Sequence, residues 1–231
     1  MKKILFFLVI LIGSPFLFYV LVHPTHNWHQ KTIVEIETPD GLKTDSSVVS
    51  VRWKEGSRIG GYFPGTEKAN SSFSGEATVV EVLPGKYLFA LLKGETHLGD
   101  PEVVALGMFG VDGTIRHAAP ILKNSRQKED IPRDHYPLLV TFKDLNDPAS
   151  VQQVEPDQLA TIFGLDIKLK RITLEITDEP VTRGKVEKVL GWFSKYRKNN
   201  YRLNGETCVA CPVSSENIAD LISTSEFKIG D

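Results

Sequence analysis

Hydrophobic positions along this chain fall into two regimes. From position 4 to position 22 they run for 19 residues without a single charge, directly after Lys2 and Lys3. At about 1.5 Å per residue such a run makes a helix roughly 28 Å long, close to the ~30 Å hydrocarbon core of a bilayer. The next positive charge is Lys31, so the positive-inside rule places the N-terminus in the cytoplasm and the rest of the chain on the far side of an inner membrane, in the periplasm. A secretory signal has a shorter apolar stretch, about 7–15 residues, ending at a small-x-small site. Here only Gly13-Ser14 offers one, with Leu11 in place of a small residue and Pro15 just beyond. Residues 1–22 therefore read as an uncleaved signal-anchor, a single transmembrane helix. Residues 23–30 read as a juxtamembrane segment, with Tyr19 and Trp28 near the outer interface.

Beyond Lys31 the pattern changes to alternation. Thr32, Val34, Ile36 and Thr38 alternate with Ile33, Glu35 and Glu37, and Pro39-Asp40-Gly41 supplies a turn. Residues 47–54 place Val49, Val51 and Trp53 on one face and Val48, Ser50 and Arg52 on the other, which predicts an antiparallel partner. Gly56, Gly60, Gly61 and Gly65 keep 55–74 from forming a long helix. Segments 76–83 and 86–92 flank Pro84-Gly85 as a second hairpin, with Val80, Val82, Leu88 and Ala90 expected in the core. Regular patterns then fail between Leu106 and Pro137, and the charge-dense stretch 123–136 is the candidate sub-boundary.

The remainder mixes strands and helices. Residues 138–142 read as a short buried strand. Asp147-Pro148 fits a cap and first helical position leading a turn through Val151 and Val154. Glu155-Pro156 opens a helix with Leu159, Ile162 and Phe163 on one face and Gly164 to end it. In 166–177, expected to be the longest strand, apolar positions shift from odd (Ile167, Leu169) to even (Ile172, Leu174, Ile176), which predicts a β-bulge near Lys170. From Thr182 onward Val186, Val189, Leu190 and Phe193 recur at helical spacing. A last short helix is expected after Pro212, capped by Ser214 or Ser215. The fold class is α+β: an antiparallel β-rich exported domain over 31–231, sandwich- or barrel-like, with a few late helices.

Composition supports a folded domain, since 41% of residues are apolar and 24% charged. A formal charge of −2 excludes a nucleic-acid partner, because such binding neutralises many phosphates at once.

Few residues carry candidate chemistry. His23, His26 and His29 are three apart, a helical metal-site spacing, but Pro24 and the lack of a nearby carboxylate favour plain headgroup polarity. Cys208 and Cys211 are the chain's two cysteines, and in an exported domain they read as a disulfide. Thiol redox chemistry through the same pair is the lesser alternative, because only 20 residues come after it and the thioredoxin arrangement needs much of its fold beyond the motif. Asp144, Asn146, Ser150 and Glu155 follow calcium-loop spacing, but Pro148 and Ala149 stand at the fifth ligand and turn-glycine positions. Asp134-His135 matches two members of a catalytic triad without a serine elbow. Neither a cofactor nor a metal is implied. Arg183, Lys185, Lys188, Lys195, Arg197 and Lys198 face only Glu187 and form a candidate interaction surface.

Trp28-His29-Gln30-Lys31, Leu138-Leu139-Val140-Thr141-Phe142, Asp147-Pro148-Ala149-Ser150-Val151 and Ile176-Thr177-Asp178-Glu179-Pro180-Val181-Thr182-Arg183-Gly184 resemble a family of uncharacterised membrane-anchored proteins from proteobacteria. The resemblance implies a bacterial cell-envelope setting and no reaction. The chain thus reads as a single-pass periplasmic binding or interaction module, with the membrane as one partner and an envelope protein as a candidate second. An envelope enzyme of hydrolase type is the alternative. A deep pocket joining Asp134, His135 or His117 to another carboxylate would favour the enzyme, and an exposed apolar patch or open sheet edge the module.

Overall fold

The computed structural model describes residues 25–54, 70–110, 115–207 and 215–230. The run 1–22, His23, Cys208, Cys211 and Pro212 lie outside the described residues, as does the side chain of His117. No helix among the described residues is long and apolar enough to cross a membrane.

Strand β1 (Thr25–Thr38) pairs along its whole length with β2 (Gly41–Lys54) through the expected Asp40-Gly41 turn. It starts well before Lys31, so the segment expected to be juxtamembrane is mostly strand. Trp28, expected near the outer interface, is 4% exposed inside the domain. Its Nε1 donates to Gln30 Oε1 at 3.0 Å, and Gln30 Nε2 donates to Pro101 O at 2.9 Å. The alternation that buries Val34 and Ile36 simply continues upstream through Gln30 and Trp28. In an extended strand His26 and His29, three apart, face opposite sides, so the helical three-histidine spacing does not arise.

A six-stranded antiparallel sheet runs β10-β3-β2-β1-β9-β6, with β3 Asn70–Glu76, β6 Lys128–Asp130, β9 Lys168–Thr177 and β10 Lys228–Ile229. The second sheet runs β4-β5-β7-β8, with β4 Thr78–Leu83, β5 Lys86–Gly94, β7 Pro137–Phe142 and β8 Val151–Gln153. β1 and β2, with 14 residues each, exceed the 10 of β9, so 166–177 is not the longest strand. The predicted bulge is present: Arg171 pairs with Glu35 and Leu169 with Ile36, leaving Lys170 without a partner residue. Within the charged stretch 123–136, β6 pairs with Thr173, Leu174 and Glu175 of β9.

The two sheets pack face to face. Val34, Ile36, Val49 and Ile172 from the first meet Val80, Val82, Leu88 and Leu139 from the second in one core. The opposite face of the four-stranded sheet, with Val79, Phe89, Val140 and Phe142, is covered by residues from the C-terminal part, including Val186, Leu190, Phe193 and Phe227. Three layers result. The outer surface of the six-stranded sheet instead carries charged neighbours: Arg171 pairs with Glu35, Lys128 with Glu175 at 3.4 Å, and Lys31 with Glu179 at 2.7 Å.

Helices α1 (Pro101–Phe109) and α2 (Ile115–Asn124) lie in mid-chain, where no regular pattern was expected. They close the core beside Trp28 and Val51 with Val104, Ala105, Phe109, Ala119 and Leu122. The expected Pro156 helix is present as a 3-10 turn followed by α3 (Leu159–Phe163), ended by Gly164 at φ 119°. The Asp147-Pro148 turn stops at Ser150, because Val151 begins β8. The continuous helix expected from Thr182 is replaced by two short ones, α4 (Lys185–Val189) and α5 (Phe193–Asn199). Leu190 between them leaves helical geometry at φ −102° and ψ 85°, ahead of Gly191.

Candidate functional site

The mid-chain histidines and carboxylates gather where two loops interlock. Gly94 and Gly99 permit the approach: a Cβ on Gly99 would lie 2.6 Å from Tyr136 O, and one on Gly94 would lie 2.6 Å from Gly99 Cα. Thr96 Oγ1 donates to Asp134 O at 2.7 Å and Glu95 N to Tyr136 O at 3.1 Å. Arg133 adds ion pairs to Glu95 and, at 3.5 Å, to Glu155.

Within this junction Asp134 and His135 do meet, Oδ1 to Nδ1 at 2.9 Å, and the contact holds the Asp134 carboxyl below its usual range. The other ring nitrogen looks at α1, since a Cβ on Gly107 would lie 3.1 Å from Nε2. His135 lines an internal space of about 30 Å³ with Gln30, Ser47 and Thr78, and no carboxylate is in that lining. This arrangement knits the two loops together. His97 and Asp100 form a second pair at 2.6 Å, and Asp100 also accepts Gly94 N at 3.0 Å. That pair is a turn-closing contact spaced i,i+3.

Glu102, in the first turn of α1, is the strained carboxylate of this region. Burial pushes its pKa up, Asp100 adds to the rise, and its buried Oε2 has no hydrogen-bond partner among the described residues. Its folded pKa lies above the unfolded one, so the folded state holds more protons between them and stability falls as pH rises through that window. Glu102→Gln, neutral throughout, is expected to raise Tm at about pH 7 and to lose that advantage at about pH 3. Thermal melts of both proteins across this range check it.

The calcium-spaced residues close their own loop. Asp144 Oδ1 accepts Asn146 N at 2.9 Å, and Ser150 Oγ donates to Asp144 O at 2.8 Å and to Asp147 O at 2.7 Å. Glu155 is directed instead to Arg133. The six cations of the expected basic surface are divided between α4, α5 and their approach. Lys185 pairs with Asp45 and donates to Ser46 O at 2.9 Å, and Arg197 donates to Gly230 O at 2.8 Å. Arg183, Lys188, Lys195 and Lys198 are exposed.

Beside this loop lies a groove of about 490 Å³, within the ~300–1,000 Å³ range of ligand sites. Its origin is legible from strand alternation. Leu88 and Leu139 belong to the inter-sheet core, and the same face of β5 and β7 continues past that core as Lys86, Thr141 and Lys143. Gln152 of β8, opposite Thr141, completes the polar wall. Phe142, Ile162 and Phe163 supply apolar lining. Lys86, at the start of β5, and Lys143, just past the end of β7, both line the groove. Both are exposed, and neither ammonium has an ion-pair partner among the described residues. Two cations of one groove without ion-pair partners make its field favourable to an anion.

Sequence reasoning did not single out Lys86 or Lys143; only the non-local pairing of β5 with β7 brings them together. Set against family models, curated proteins and solved structures, the chain matches none.

Proposed function

We propose that this chain is a membrane-tethered binding module of the bacterial periplasm whose recognition site is the groove between Lys86, Lys143 and α3. The observation that carries the reading is that groove: ligand-sized, polar on one wall and apolar on another, with two cations left without partners among the described residues. The uncharged run 4–22 after Lys2 and Lys3 supports the tether and, with it, the envelope setting.

Fractionation of cells followed by denatured mass measurement tests the tether. The expected result is protein in the membrane fraction, resistant to carbonate extraction, with a mass that includes residues 1–22, and digested when protease is added to spheroplasts. A soluble protein lacking that segment, or one protected from outside protease, would overturn it.

A further inference from the structure

The groove's own chemistry narrows what it takes. We infer that it binds a small ligand carrying one anionic group, a phosphate or carboxylate, joined to a short apolar body; the inference rests on the groove being the recognition site. Lys86 and Lys143 both line the groove, and their long flexible stems let both ammonium groups reach a single anion held there. A lysine acts there as a mobile point charge. Thr141 is 3% exposed and its hydroxyl proton is committed to Tyr87 O at 2.7 Å, so its oxygen offers only lone pairs. That hydroxyl suits a ligand donor rather than the anion. Gln152 offers amide donors on the next strand. The one carboxylate in the lining, Asp144, accepts Asn146 N and Nδ2 at Oδ1, at 2.9 and 3.2 Å, and the two lysines outweigh its single charge. The apolar body has Ile162 and Phe163 of α3 beside it. A bare phosphate would leave that side unused, and a neutral apolar molecule would leave the two lysines uncompensated.

The test uses the full chain in mild detergent and three probes small enough to stay in water: phenyl phosphate, inorganic phosphate and benzyl alcohol, each titrated by calorimetry. Phenyl phosphate is expected to bind at least tenfold more tightly than either other probe. Lys86→Gln and Lys143→Gln are each expected to weaken it roughly tenfold, as loss of one charge-assisted hydrogen bond would, and the double variant to abolish it. Both side chains are exposed, so the variants keep the fold, which a thermal melt verifies. Unchanged affinity in both variants overturns the anion assignment, as does benzyl alcohol binding as tightly as phenyl phosphate. In that last case the groove is still a binding site, and the module reading survives. Binding of none of the probes overturns the assignment by itself, because the native mass of the chain extracted from membranes judges the module reading separately.

Discussion

Replacing Phe89 by alanine is expected to cost about 3–5 kcal/mol of folding stability, the range for deleting a buried phenyl ring. Phe89 is fully buried in the middle of β5, between Val79 on β4 and Val140 on β7. Its ring meets Phe142 edge-on at 5.5 Å and Phe227 at 5.7 Å, and Phe227 in turn meets Phe193 at 6.3 Å. One side chain therefore couples the four-stranded sheet to the C-terminal layer, and rigid strand neighbours on both sides limit how far the cavity can collapse. Urea unfolding of the full chain in detergent, followed by tryptophan fluorescence, measures the loss; Trp192 packs against Phe142 at 5.8 Å and reports on this layer directly. The corresponding fall in Tm is roughly 6–20 °C for a domain of this size. Leu165→Ala, at a position 85% exposed, is the control and should change stability by no more than about 0.5 kcal/mol. Equal effects at the two positions would contradict the three-layer packing.

Glu76→Ala is expected to cost about 3 kcal/mol by a different route, the stranding of buried amides. Glu76 is completely buried at the corner where the chain leaves β3 for β4. Its carboxylate accepts Gly184 N at 2.9 Å and Lys185 N at 2.8 Å, so it caps α4 from a distant part of the chain. Gly184 takes the left-handed φ of 80° that the approach requires. Next to this corner Ala77 N donates to Phe227 O at 2.7 Å, and Lys228 of β10 pairs with Glu76. The carboxylate therefore ties the first sheet to the C-terminal layer. Glu76→Gln retains one acceptor and should lose about half as much. Amide hydrogen exchange locates the effect: Gly184 and Lys185 should lose protection first in Glu76→Ala. Protection unchanged at both amides would show that the carboxylate is not their partner.

How much of this was legible in the sequence depended on whether the governing contacts were local. The β4–β5 hairpin was, because Pro84-Gly85 and the alternating Val80, Val82, Leu88 and Ala90 act within one short segment, and all four side chains are buried. The bulge at Lys170 was too, since a phase change in alternation is itself local. The start of β1 was missed because the polar text between the apolar run and Lys31 resembles a membrane margin, whereas Gln30 is buried on the strength of one carbonyl, Pro101 O, far along the chain. α1 was missed for want of contrast: Val103, Val104, Ala105, Leu106, Met108 and Phe109 leave no polar face to reveal a helical period. α2 carries Pro120 in its interior, an ordinary sign against a helix. The helix from Thr182 had the right spacing yet breaks at Leu190, where the chain gives up helical geometry while burying both Leu190 and Phe193 in one core. The groove was illegible for the same reason as Glu76: Lys86 and Lys143 come to one groove only because β5 pairs with β7, a strand separated from it by α1, α2 and β6.

The central claim, that this is a binding module working through the groove, is tested most directly by comparing native and denatured masses of the full chain taken from membranes in mild detergent. The account predicts a native mass above the denatured one by a bound species, reduced or lost when Lys86→Glu and Lys143→Glu are introduced together. A native mass equal to the bare chain, or an added mass that both substitutions leave untouched, would contradict it.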